Sequence, residues 1–190
     1  MASDNFEILQ WLLDHDCPFD EGACANAALY GRLDILMWWR EKGCKWNEST
    51  MISAVMEKRM MMKWVREMKC PWNENTSIEA AKEGFLQGLK WLRENGCPWN
   101  AKQICLHLVP YELENLMWAF ENGGGWDDEV CAQAADYNNL QVLKWAEEKG
   151  LSMEGLFPIL AKSSPEIQEW AKGNGLWVRA GLVQEEKGDD

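Results

Sequence analysis

The chain has 190 residues, 47% of them apolar, and carries 31 acidic against 19 basic side chains, a net charge of −12. Such a charge repels phosphate backbones and anionic membrane surfaces, which argues against nucleic acid or a membrane as a partner. No run of about 18 apolar residues and no basic, apolar leader occurs, so we expect a cytoplasmic or nuclear protein that is not secreted and keeps its seven thiols reduced.

Tryptophan recurs at intervals of 25 to 27 residues along most of the chain, which indicates an internal repeat. The first tryptophan of each repeat forms one column: Trp11, Trp38, Trp64, Trp91, Trp118, Trp145 and Trp170. A second column lies eight residues later and includes Trp46, Trp72, Trp99 and Trp126. A glycine column and a pair of small residues, such as Ala80-Ala81, complete the pattern.

These columns divide the chain into seven repeats. We predict a partial first repeat at 4–20, full repeats at 21–47, 48–73, 74–100, 101–127 and 128–154, a degenerate C-terminal cap at 155–180 and an acidic flexible tail at 181–190. Each repeat is predicted to contain two short helices. The predicted fold class is therefore all-α, an α-solenoid of about six to seven stacked helix-turn-helix repeats forming one domain over 1–180.

The fourth repeat shows why two helices are expected. Asn73 is a good N-cap for a helix that runs through Ala80-Ala81, and Gly84 breaks that helix. A second helix follows from about Leu86, and Gly96 supplies the left-handed residue that ends it.

The fifth and last repeats depart from the pattern. His107-Leu108 replaces the small pair and Pro110-Tyr111 replaces the turn glycine, which indicates either drift in a tolerant repeat or a specialised binding notch. Larger side chains there are expected to spread the two helices or shift the stack. In the last repeat, Ser164 before Pro165 predicts a helix start.

The cysteines are predicted to serve packing. Cys17, Cys44, Cys70 and Cys97 share one column, but helices of neighbouring repeats lie about 8–10 Å apart, too far for a disulfide or a converging metal site. The other three fall inside first helices and are interpreted as core fillers: Cys24, Cys105 and Cys131. We therefore expect no metal and no cofactor.

The tryptophan columns are interpreted as a structural ladder that lines the core, each ring packing against the rings before and after it. Electron conduction and an aromatic ligand cleft are the functional alternatives. Trp39 and Trp177 lie outside the columns and are expected to be better interface candidates.

The second helix and turn of each repeat resemble the ankyrin repeat. The stretch "GFLQGLKWLRENGCPWN", Gly84 to Asn100, matches the family pattern G-x-L-x-x-V-K-L-L-L-x-x-G-A-x-x-N, and "AAKEG" matches its alanine pair and glycine. These repeats run about 27 rather than 33 residues and lack T-P-L-H, so the resemblance implies helix pairs without the β-hairpin finger. Short tryptophan-rich repeats of this type are similar to those of algal, oomycete and giant-virus ankyrin-like proteins.

No catalytic residue is predicted. His15 and His107 lie about four repeats apart, and no G-x-S-x-G, phosphate-binding glycine loop or H-E-x-x-H occurs. The acidic pairs are explained by helix starts and the tail.

The predicted function is a non-catalytic protein-interaction scaffold, expected to be monomeric, whose helical concave face binds a protein with a neutral or basic surface. The candidate positions are Trp39, Ser49, Ser53, Glu57, Asn75, Glu79, Lys82, Gln103, His107, Tyr111, Gln133 and Asp136. The alternative is a small-molecule sensor or carrier with a tryptophan-lined cleft. Because the chain starts inside a repeat, a third possibility is that it is a piece of a longer receptor or ubiquitin-ligase adaptor.

Overall fold

The computed structural model describes residues 2–17, 19–57 and 61–182, and within them every regular element is helical. The helices are α1 (Ala2–Asp14), α2 (Glu21–Leu29), α3 (Leu33–Glu41), α4 (Glu48–Met56), α5 (Met61–Glu67), α6 (Glu74–Lys82), α7 (Leu86–Glu94), α8 (Ala101–Leu108), α9 (Leu113–Glu121), α10 (Asp128–Asp136), α11 (Leu140–Glu148), α12 (Pro165–Gly173) and α13 (Leu176–Arg179). Two 3-10 turns lie at Glu154–Leu156 and Leu160–Lys162. The predicted all-α fold of stacked helix-turn-helix repeats is confirmed.

The chain divides into two compact units, Met1–Trp99 and Asn100–Asp190. In the N-terminal unit α2 packs on α4 and α4 on α6; in the C-terminal unit α8 packs on α10, and α10 packs on the 3-10 turn Glu154–Leu156. Within each unit, we call the first helices of the repeats the first-helix row (α2, α4 and α6; α8 and α10) and the second helices the second-helix row (α1, α3, α5 and α7; α9 and α11). The boundary between the two units falls at the start of the irregular fifth repeat. That residues 1–180 form a single domain stays a prediction. That the larger side chains of the fifth repeat spread its helices or shift the stack also stays a prediction.

Every first helix of repeats two to six begins with a side-chain cap. The N-cap carboxylate or amide oxygen accepts a bond from a backbone N–H of the first turn, which satisfies a donor that the helix itself cannot. These N-caps are Asp20, Asn47, Asn73, Asn100 and Asp127. The cap predicted at Asn73 is therefore confirmed.

Second helices end on a left-handed residue, as predicted. At Gly96 φ is +76°, and the N–H groups of Gly96 and Cys97 donate to carbonyls of the last helical turn at 3.2 and 2.9 Å. The same slot has φ of +54° at Asp16 and +62° at Lys69, neither of which is glycine. The turn therefore imposes this conformation even on residues that disfavour it.

The core consists mainly of aliphatic side chains, small residues and thiols, together with two indoles, Trp39 and Trp145. Both members of the small pair are buried in repeats two, three, four and six. The largest fully buried side chains are Leu36, Met51, Leu89, Leu92, Ile104, Leu108, Leu116, Leu143, Leu156, Leu160, Ile167 and Leu176.

The prediction that the tryptophan ladder lines the core is wrong for most of its members. Trp145 is buried and Trp11 is 56% exposed, while the other nine rings are half-buried. The reason is helical geometry: on α7 the buried face is formed by Leu89 and Leu92, and Trp91 lies about 100° around the helix from Leu92. The ladder therefore covers the edge of the core.

The C-terminal cap begins as expected. The Ser164 hydroxyl accepts from the Ile167 N–H at 3.4 Å and Pro165 occupies the first helical turn of α12. From residue 183 on, the predicted acidic tail lies outside the described residues. No helix within the described ranges is long and apolar enough to cross a bilayer.

Candidate functional site

The first-helix row carries most of the predicted partner-binding positions. In the N-terminal unit, α4 packs on α6, which brings together the segments that carry Ser49, Ser53 and Glu57 and those that carry Asn75, Glu79 and Lys82. In the C-terminal unit, α8 packs on α10, which brings together the segments that carry Gln103, His107 and Tyr111 and those that carry Gln133 and Asp136. The exposed members are Ser49, Asn75, Lys82, Tyr111 and Asp136, and the others named here are half-buried.

Several polar groups on this row bond within their own helix. The Ser49 N–H donates to Asn47 Oδ1 at 3.0 Å, and Lys82 Nζ lies 2.8 Å from Glu79 Oε1. Exposed pairs of this kind contribute little to stability. The charged side chains of these helices are mainly acidic.

Trp39 must be removed from the predicted binding positions. Its side chain is only 7% exposed, and its ring lies 5.0 Å from both Phe19 and Trp38, centroid to centroid. It occupies the position of Val65 and Leu92 in the next two repeats, both of which are buried. Trp177, the other ring outside the columns, is half-buried and donates through Nε1 to the Gln168 carbonyl at 3.2 Å.

All three tyrosines of the chain are exposed; sequence reasoning predicted Tyr111 as a binding position but missed Tyr30 and Tyr137. Tyr30 is 76% exposed, Tyr137 55% and Tyr111 37%, and these are all the tyrosines of the chain. Tyr30 and Tyr137 are the C-caps of first helices, and Tyr111 lies in the turn after α8. In the N-terminal unit the neighbouring slot holds two further exposed apolar side chains, Leu29 and Met56.

The second-helix row of the N-terminal unit carries a different constellation. The guanidinium carbon lies 4.1 Å from the ring centroid of Trp46 for Arg40, 3.9 Å from that of Trp72 for Arg66, and 5.0 Å from that of Trp99 for Arg93. These are cation–π distances. We call these three pairs the Arg–Trp column.

Backbone carbonyls hold two of the arginines in place. Arg66 Nη1 donates to the Cys70 carbonyl at 3.2 Å, and Arg40 makes the same bond to the Cys44 carbonyl. The signal was available as an arginine two residues after the first-column tryptophan in repeats two, three and four. In repeats five and six this slot holds Phe120 and Glu147, so the column is confined to the N-terminal unit.

Tryptophans of the two columns meet across repeats in edge-to-face pairs. Ring centroids lie 6.1 Å apart for Trp46 and Trp64, at an interplanar angle of 76°, and 6.1 Å apart for Trp72 and Trp91, at 71°. This geometry is favourable for aromatic quadrupoles. The predicted contact between successive rings of one column is replaced by contact between columns.

A cleft of about 360 Å³ opens beside the first of these pairs. Its walls are Met37, Arg40, Glu41, Trp46, Trp64 and Met68. The exposed fractions of Met37 and Met68 are 43% and 51%, so the cleft has an adaptable apolar rim beside a fixed guanidinium. The composition matches that of interface cores, which are rich in aromatic residues, methionine and arginine.

The thiols are structural. The sulfurs of Cys44, Cys70 and Cys97 lie 3.2, 3.4 and 3.6 Å from the carbonyl oxygen of the N-cap residue of the same repeat. Burial raises the pKa of Cys70 to about 12 and that of Cys97 to about 11. The thiol therefore acts as a small buried donor that ties the end of each repeat to its beginning.

The three thiols inside first helices are also buried. Burial likewise raises the pKa to about 12 for Cys24 and Cys131 and to about 11 for Cys105. At Gly124, which replaces the column cysteine in repeat five, an added Cβ would lie 2.5 Å from the Cys105 sulfur. Cys105 thus occupies space that a side chain would otherwise fill there.

The described residues hold no group of three His, Cys, Asp or Glu side chains placed to bind a metal ion. Comparison with protein-family models and with curated proteins finds no match to this sequence.

Proposed function

We propose that this chain is a non-catalytic protein-interaction scaffold that binds its partner through the first-helix row. The observation that carries the proposal is the exposure of all three tyrosines of the chain, each at or just after the C-terminal end of a first helix. Tyrosine combines large apolar area with a polar tip and is enriched among residues that dominate binding energy. Exposed tyrosines at corresponding places in both units support surfaces built for contact.

The charge of this row supports a neutral or basic partner. In the N-terminal unit the first helices and their C-caps carry six acidic side chains against Lys82: Glu21, Glu48, Glu57, Glu74, Glu79 and Glu83. Complementary charge raises the association rate and is screened by salt. We also propose that the chain is related to ankyrin-repeat proteins; the paired short helices and the glycines at the ends of second helices support this proposal.

The test is capture of interacting proteins by the immobilised chain from the cell of origin, followed by mass spectrometry. We expect at least one protein in near-stoichiometric amount, lost with the double variant Tyr30→Ser/Tyr137→Ser. The matched control, Val178→Ser/Leu182→Ser, removes two exposed apolar side chains elsewhere and should retain it. Binding should weaken from about 50 to about 300 mM salt. A partner unaffected by the tyrosine variant would refute this location.

A second candidate is the small-molecule carrier, and the cleft between Trp46 and Trp64 is the observation that favours it. Its volume lies at the low end of the range of about 300–1,000 Å³ typical of ligand pockets. Tryptophan emission should then shift on addition of a metabolite extract, and Trp46→Phe should abolish the shift. Emission that responds to iodide through exposed Trp11 but not to metabolites favours the scaffold.

A further inference from the structure

Within the second-helix row of the N-terminal unit, α3, α5 and α7 differ in charge from α1. The helices α3, α5 and α7, with the turns that follow them, carry eight bases: Arg40, Lys42, Lys45, Lys63, Arg66, Lys69, Lys90 and Arg93. The same segments carry four acids: Asp34, Glu41, Glu67 and Glu94. The stretch from α3 to α7 is therefore locally basic in a chain of net charge −12, whereas α1 carries three acids and no base.

The arginines of the Arg–Trp column contact indole rings rather than carboxylates in the part of the chain that the structure describes. Among the described residues, no carboxylate forms an ion pair with Arg40, Arg66 or Arg93. Their charge is instead spread over an indole face, and two of them also donate to a backbone carbonyl. Because the guanidinium groups are held before any ligand arrives, an incoming carboxylate loses less side-chain entropy on binding.

The cleft adds an apolar anchor point to this charged column. Arg40 forms one wall, and the exposed methionines Met37 and Met68 lie at the same opening. An aliphatic side chain placed between the methionines brings its own backbone close to the Arg40 guanidinium. A ligand with an acidic group next to an apolar one therefore fits better than a simple anion.

The repeat geometry sets the spacing of the ligand. Helices of neighbouring repeats lie about 10 Å apart, and a polyproline II helix advances about 3.1 Å per residue with three residues per turn, so that every third side chain lies on one face. Three arginines, one per repeat, therefore match carboxylates at every third residue of a segment in the polyproline II conformation.

We infer that α3, α5, α7 and the turns that follow them form a docking site for an acidic segment of another protein in the polyproline II conformation, with carboxylates at every third position and one bulky aliphatic side chain in the Met37–Met68 cleft. This site is distinct from the first-helix row and adds a second partner class, acidic rather than basic. Single-stranded RNA is the less suitable ligand, because Arg40 already covers a face of Trp46 on which a base would stack.

The experiment measures binding of a fluorescein-labelled peptide by anisotropy. The peptide carries Glu at every third position and one Leu; the two comparison peptides replace Glu by Gln, or Leu by Ala. We expect the Glu peptide to bind about eightfold more tightly than the Gln peptide, since each of the three exposed charge pairs contributes about twofold. The Leu→Ala peptide should be weaker by several-fold.

Variants of the protein localise the site. Arg40→Gln/Arg66→Gln/Arg93→Gln should weaken binding of the Glu peptide about eightfold and reduce its salt dependence. The matched control Lys144→Gln/Lys149→Gln/Lys162→Gln removes three exposed positive charges from the C-terminal unit and should change binding by less than about twofold. If the arginine variant does not fold, the relative affinities of the three peptides for the native chain still test the inference.

Equal affinity for the Glu and Gln peptides overturns the inference. An equal loss of affinity for the Glu peptide in the lysine variant and the arginine variant also overturns it. Tighter binding of a labelled single-stranded RNA that competes with the peptide overturns it in favour of nucleic acid. The tyrosine variant of the first-helix row leaves peptide binding unchanged if the two surfaces are independent. Failure here and failure of the proposed function are thus separate outcomes.

Discussion

Glycine at the end of second helices offers a test of the repeat architecture in two directions. At Gly96 φ is +76°, and an added Cβ would meet no heavy atom within 4 Å. The substitution Gly96→Ala therefore creates no clash, and its whole cost is conformational. A left-handed residue with a Cβ costs about 1–2 kcal/mol, of which reduced entropy of the unfolded chain offsets part. We expect a loss of about 1 kcal/mol in the free energy of unfolding.

Lys69 occupies the equivalent slot with φ of +62°, so Lys69→Gly is the reciprocal change. Relief of the left-handed strain exceeds the extra entropy of glycine in the unfolded chain, and we expect stabilisation by about 0.5 kcal/mol. The free energy of unfolding of both variants is measured by urea denaturation, with circular dichroism as the probe of helix content. A neutral Gly96→Ala, or a Lys69→Gly that destabilises, would refute the assignment of these turns as left-handed helix ends.

Three further predictions concern packing and the thiols. Gly155→Ala should destabilise by more than about 2 kcal/mol, because its Cβ would lie 1.8 Å from the Asp128 carbonyl oxygen. Gly173→Ala, at an open helical site with no atom within 4 Å, should stabilise by up to about 1 kcal/mol and serves as control; thermal unfolding measures both. Iodoacetamide at neutral pH should label the native chain at Cys17, the half-buried thiol, before any other; mass spectrometry that finds equal labelling of all seven contradicts the burial described. Burial raises the pKa of these thiols, so their contribution to stability is fully present below about pH 9, the pKa of a thiol in the unfolded chain. The free energy of unfolding should then fall as the pH rises toward about 12. Each thiol contributes about 1 kcal/mol of this loss by pH 10. Denaturation curves at pH 8 and pH 10 that coincide would exclude that linkage.

Local sequence determined the helices and their ends. A capping side chain at Asn73, small residues at Ala80 and Ala81 and a turn residue at Gly96 each act within a few positions of the backbone, and the structure confirms all of them. The repeat made these signals stronger, since the same slots recur in register. Even Lys69 follows the pattern without being glycine, because the surrounding turn fixes its backbone.

Only the tertiary structure decided which side chains are buried. Trp39 and Trp91 have similar chemistry, but Trp39 falls on the inward ridge of its helix and is buried, whereas Trp91 falls on the flank and is half-buried. Likewise, the sequence shows Arg66 and Trp72 six residues apart, and only the turn between them brings the guanidinium over the ring. Periodicity specifies where helices form, but burial and pairing depend on how each helix is rotated against its neighbours, which is settled by packing between repeats rather than within them.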